Sequence, residues 1–147
     1  MWKNIILIAA VITLSSCGAK RKGVEASKES KEVVLGKSEA VSYKSLGNGV
    51  ASISLELYQN NTFKFDFNSI PQPDTEEKAV KISEKGTYTS EGDWKTLYFK
   101  NPKFSLAAIF DKQFGDANFF KVIDNENVKI NTSKNALPIW GVVCEKQ

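Results

Sequence analysis

The clearest alternation of apolar and polar positions runs from residue 51 to 68. Ile53, Leu55 and Leu57 fall on one side of an extended segment, with Ser52, Ser54, Glu56 and Tyr58 on the other. After Gln59-Asn60-Asn61, Phe63, Phe65 and Phe67 alternate with Thr62, Lys64, Asp66 and Asn68. Two period-two runs around an Asn pair predict a β-hairpin with one buried face. The two prolines and three acids of Pro71–Glu77 predict an exposed loop. Strands are then expected around Ala79–Ser83, across Gly86–Thr89, and over Trp94–Lys100 after the turn Glu91-Gly92-Asp93. In the last of these, Leu97 and Phe99 oppose Trp94, Thr96 and Tyr98. Further strands are expected at Phe104–Phe110, Phe119–Ile123, Asn127–Ile130 and Leu137–Glu145, with room for a short helical turn at 112–118. Pro138 sits near the start of the final strand, where a missing N–H is tolerated. About eight short strands at this spacing predict an all-β domain, a small antiparallel up-and-down barrel.

The beginning of the chain follows a different rule. Lys3 precedes ten mostly apolar residues, Ile5–Leu14, and Ser15-Ser16-Cys17-Gly18 follow. A charge, an apolar run and small residues make the layout of a secretory signal. The run is about half of the roughly 20 residues a spanning helix needs. Leu14-Ser15-Ser16-Cys17 resembles the lipobox of bacterial lipoproteins. That resemblance implies cleavage before Cys17 and a diacylglycerol on its thiol. Buried methylenes contribute roughly 0.8 kcal/mol each, so two or three acyl chains hold a soluble domain at a membrane.

Residues 18–40 are rich in Lys, Glu, Ser, Ala and Gly, and apart from Trp2 every aromatic lies at or beyond Tyr43. The expected organisation is therefore a signal peptide at 1–16, a lipid-anchored flexible tether at 17–40 and a barrel domain at 41–147. The net charge of +3 belongs to the first two parts, because thirteen Lys and thirteen acidic residues lie from Val41 onward. A neutral, exported domain is no nucleic-acid binder, although Lys64 between Phe63 and Phe65 superficially resembles a base-stacking platform. Lys20-Arg21-Lys22 either rests against anionic headgroups or is solvated linker.

The chain holds no histidine, which excludes Ser-His-Asp and Cys-His catalysis and the usual His-containing zinc sites. With Cys17 committed to lipid, Cys144 has no disulfide partner and reads as a small buried hydrophobe. Asp74, Glu76 and Glu77, Asp111 and Asp116, and Asp124 and Glu126 fall in loops or turns without calcium-loop spacing. A carboxylate hydrolase would need two of them brought together from distant strands. No catalytic residue, metal site or cofactor is assigned. The residues expected to form either the core or a ligand-lining wall are Phe63, Phe65, Phe67, Trp94, Tyr98 and Trp140.

Leu55–Phe65, Gly86-Thr87-Tyr88 with Gly92-Asp93-Trp94 and Leu97, and Phe120–Ile123 with Val128–Ile130 together resemble the N-terminal domain of NlpE-type copper-resistance lipoproteins, within the lipocalin-like group. The NlpE type carries a Cys-x-x-Cys; the mature chain here has none, so copper binding and thiol sensing do not carry over. Ile139–Cys144 is similar to the closing strand of small lipoproteins from Bacteroidetes-type bacteria. The expectation is a non-catalytic envelope lipoprotein, anchored through Cys17 at the outer membrane and facing the periplasm. It would bind a small apolar ligand or an envelope protein. The alternatives are an accessory or inhibitor subunit of a larger envelope system, and a carboxylate-based hydrolase.

Overall fold

The computed structural model describes residues 39–47 and 49–147. The signal peptide, Leu14-Ser15-Ser16-Cys17 and the tether up to residue 38 lie outside the described residues.

Nine strands form one antiparallel sheet that curls into a nearly closed barrel: β1 Glu39–Ser45, β2 Ala51–Tyr58, β3 Thr62–Ser69, β4 Lys81–Glu91, β5 Trp94–Tyr98, β6 Phe120–Val122, β7 Asn127–Asn131, β8 Ala136–Ile139 and β9 Val142–Lys146. One four-residue helix, α1 (Leu106–Ile109), accompanies them. The order across the sheet is β6-β7-β5-β4-β3-β2-β1-β9-β8. The small all-β barrel expected from the strand spacing is therefore present. β1 joins β9, while the short β6 and β8 are the free ends of the ladder.

The hairpin read from residues 51–68 is β2–β3, with Leu57 opposite Phe63 and Ile53 opposite Phe67. Asn61 takes φ 60°, and the Asn60 carboxamide oxygen accepts the Thr62 N–H at 3.2 Å. Asn tolerates this left-handed turn position and bonds its own backbone there. Ile53, Leu55, Leu57, Phe63, Phe65 and Phe67 are all buried, as the alternation demands.

Four expectations are corrected. β1, Glu39–Ser45, lies ahead of the first strand anticipated from the pattern; only Val41 and Tyr43 mark its inner face in a polar stretch. The segments 79–83 and 86–89 belong to a single strand, β4, which runs through Gly86. Phe104–Phe110 is not a strand: Ser105 caps α1 by accepting the Ala108 N–H at 3.3 Å, and Leu106 and Ile109 share its buried face. Alanine favours the helix, and i,i+3 spacing lets a four-residue run bury two side chains together. Leu137–Glu145 folds back on itself as β8–β9, because Trp140 (φ 50°) and Gly141 (φ 71°) make a two-residue turn with both residues left-handed.

The interior is filled by side chains. The Phe63 and Phe99 rings meet edge-on with centroids 4.7 Å apart, and Phe65 contacts Phe99, Phe104 and Phe110 at 6.0 to 6.2 Å. Between β6 and β8 the barrel closes by packing. A Cβ placed on Gly115 would lie 2.5 Å from the Phe120 ring and 2.7 Å from Pro138. The 111–119 loop thus wedges its glycine between the two free strands. Pro138 on β8 and the three-residue length of β6 also leave little edge for another chain.

Tight turns close one end of the barrel, at Tyr58–Thr62, Glu91–Trp94 and Asn131–Ala136. The two long connections, 70–80 and 99–119, gather at the opposite end with the Trp140-Gly141 turn. There they form a mouth.

Candidate functional site

Two flanking hydrogen-bond sets hold the mouth. The Ser69 N–H donates to the Val80 carbonyl at 2.9 Å, and the Val80 N–H donates to Ser69 Oγ at 2.8 Å, pinning the base of the 70–80 loop. The Ile70 N–H donates to the Val50 carbonyl at 2.7 Å. Across from them, the Trp140 N–H donates to the Ile109 carbonyl at 2.6 Å, tying the β8–β9 turn to α1.

Between these walls lies a pocket of about 540 Å³. Phe67 and Ile82 line it from the sheet, Ile70 and Val80 from the loop, and Phe104 and Trp140 from the opposite side. The Trp140 ring stands nearly perpendicular to Phe67, 5.0 Å between centroids, so the pocket wall is continuous with the core. Ile70 and Val80 are 45% and 52% exposed, and Val50 is 40% exposed. Side chains of this kind left open around a concavity are what an apolar ligand site looks like before it is filled. Glu77, Lys78, Ser69 and Ser105 are the polar or charged residues among its lining, with Gln72.

A larger depression, about 980 Å³, lies between 101–106 and 124–126. Two of its carboxylates, Asp124 and Glu126, are already engaged by the turns that build it. Asp124 Oδ1 accepts the Glu126 and Asn127 N–H groups, each at 2.8 Å, and these bonds with the Asn127 carboxamide hold its carboxyl below the usual carboxylate range. Glu126 Oε1 accepts the Asn101 N–H at 2.9 Å. The smaller, apolar pocket is the better candidate for that reason.

The structure divides the six aromatic residues singled out in the sequence. Phe63 and Phe65 are core; Phe67 belongs both to the core and to the pocket floor; Trp140 is pocket wall. Trp94 and Tyr98 project from the outer face of β5, Tyr98 at 39% exposure, and line no interior surface. Sequence reasoning missed Ile70, Val80, Phe104 and Ile109, which lie in or beside irregular connections where apolar residues follow no period. The one available signal was that Ile70 and Val80 bracket the proline loop.

Cys144 is fully buried on β9, and burial pushes its thiol up to about 12. Such a thiol is inert in the folded chain. Among the described residues no three His, Cys, Asp or Glu side chains gather as a metal site, and no helix is long and apolar enough to cross a membrane.

Comparison with protein-family models, curated proteins and solved structures returns no match for this chain.

Proposed function

We propose that this chain is a non-catalytic lipoprotein of the bacterial envelope, anchored through Cys17, whose barrel mouth binds a small, predominantly apolar ligand. The observation that carries the binding reading is the pocket between Phe67, Ile70, Val80 and Trp140, continuous with the aromatic core. Its volume falls within the range of roughly 300–1,000 Å³ seen for small-molecule sites. The lipobox supports the anchor. Gly18 after the cysteine resembles outer-membrane sorting signals, and Ala19-Lys20-Arg21-Lys22 is unlike a surface-export signal, which together support the periplasmic face of the outer membrane. The resemblance to NlpE-type domains supports a lipoprotein barrel and brings no copper chemistry, because Cys-x-x-Cys is missing.

The test is titration of the chain lacking residues 1–17 with a fluorescent C16 fatty acid. One-to-one binding with a dissociation constant on the order of 1 µM is expected. Trp140→Ala and Ile70→Asp each weaken it tenfold or more, while Trp94→Ala on the outer face leaves it unchanged. Equal binding by all four proteins, or no saturable binding, refutes the pocket as the ligand site.

A further inference from the structure

The ladder around β4 is incomplete on one side. Lys81–Thr87 pair with β3, whereas β5 pairs only with Thr87–Glu91. Beyond Tyr98 the chain leaves β4: the Phe99 N–H donates to the Glu126 carbonyl at 2.8 Å, and Asn101 turns at φ 49°. Lys81–Lys85 is therefore a strand paired along one edge only.

The unpaired groups follow from the alternation of an antiparallel ladder. The Val80 carbonyl and the Tyr88 N–H both engage the β3 side. Even-numbered residues of β4 therefore bond toward β3, and Lys81, Ser83 and Lys85 aim their N–H and C=O groups at the free side. Five residues at about 3.4 Å each give an edge of about 17 Å, enough for one added strand. The outward side chains at these three positions are exposed. Ser83 donates to Asp66 at 2.6 Å, and Asp66 is also ion-paired with Lys64. Lys81 and Lys85 form no ion pair among the described residues.

We propose that the free side of β4 at Lys81–Lys85 accepts an extended segment of a partner protein as an added strand, with acidic side chains at its outward positions. Charge selects this occupant. Opposite-charge cross-strand pairs stabilise a ladder and like charges directly opposite destabilise it. A second copy of the chain pairing antiparallel about Ser83 would set Lys81 against Lys85, so the two lysines disfavour self-association as edge lysines commonly do. A strand with acids at the outward positions meets both. Its inward side chain beside Ile82 would point toward the mouth pocket, so an apolar residue suits that position, while the other inward position lies beside the half-buried Glu84.

The probe is the capped heptapeptide Asp-Val-Asp-Val-Asp-Val-Asp, against Lys-Val-Lys-Val-Lys-Val-Lys, read by amide hydrogen exchange of the chain lacking residues 1–17. The acidic peptide is expected to slow exchange at Lys81, Ser83 and Lys85 by tenfold or more, and the basic one to leave it unchanged. Ser83→Pro removes a free-side N–H while keeping the backbone bonds to β3, at the loss of the Ser83–Asp66 side-chain bond, and should abolish binding. Lys81→Glu with Lys85→Glu should reverse the peptide preference and covers the case in which the proline variant does not fold. No protection at millimolar acidic peptide, protection at other strands, or concentration-dependent dimerisation through β4 overturns the proposal. C16 fatty acid binding by the Lys81→Glu, Lys85→Glu variant is expected to be unchanged, which separates this edge from the pocket.

Discussion

Gly86 stands beside the point where β5 parts from β4. A Cβ there would lie 2.1 Å from the Tyr98 carbonyl oxygen and 2.5 Å from the Phe63 ring. The first collision is with backbone, which cannot swing aside. Gly86→Ala is therefore expected to cost about 1–3 kcal/mol, read as a lower urea midpoint. Tyr43 sets a second residue-scale test. It is buried in the core and donates to the Lys134 carbonyl at 2.8 Å. Burial pushes its hydroxyl from 10.0 up to about 12, and the Cys144 thiol from 9.0 up to about 12. The folded chain thus holds these protons more tightly than the unfolded chain. Their contribution is fully present below pH 9 to 10 and is lost as pH rises through 12. Stability should fall over that alkaline window. Tyr43→Phe should shrink the fall and, by losing one hydrogen bond, lower stability at neutral pH by about 1 kcal/mol.

Which elements were legible depended on whether burial followed one period over enough residues. β2 and β3 could be read directly, since each offers at least three apolar residues on one face and an Asn-rich turn joins them. β4 reads as two strands because Gly86 looks like a break; the glycine is there for close approach to β5. α1 was hidden because Leu106-Ala107-Ala108-Ile109 fits a buried strand as well as a helix, and only the Ser105 cap and the alanines favour the helix. The β8–β9 turn was hidden because Trp140 occupies a position where Asn or Asp would have announced a hairpin. Its left-handed φ is sustained by packing on Phe67 and the bond to Ile109. The same turn carries a pocket wall, so local turn chemistry and the site are coupled. Gly141 has φ 71°, and a Cβ on it would lie 3.1 Å from the Phe114 ring. Gly141→Val should cost about 1–2 kcal/mol for the left-handed backbone, and by shifting Trp140 it should also weaken fatty-acid binding. Unchanged affinity in a destabilised Gly141→Val protein would show that the turn does not position the pocket wall.

At the scale of the whole molecule the mouth and the chain's entry lie apart. Glu39 pairs with Tyr58 at the tight-turn end, while Ile70, Val80 and Trp140 surround the opposite end. The candidate site was only half legible for the same reason: its floor, Phe67, is periodic, but its walls come from connections that the barrel folds together. With the anchor proposed at Cys17 and the pocket at the far end of the barrel, attachment and binding use no residue in common. This separation makes a sharp prediction. Cys17→Ser should leave the protein unprocessed or release it from membranes, seen by fractionation and by altered gel mobility. The chain lacking residues 1–17 should bind C16 fatty acid with the same affinity as the full, lipid-bearing protein reconstituted in nanodiscs. Unaltered membrane retention of Cys17→Ser would refute lipidation. A large affinity difference between the soluble and anchored forms would instead mean that the membrane takes part in loading the pocket.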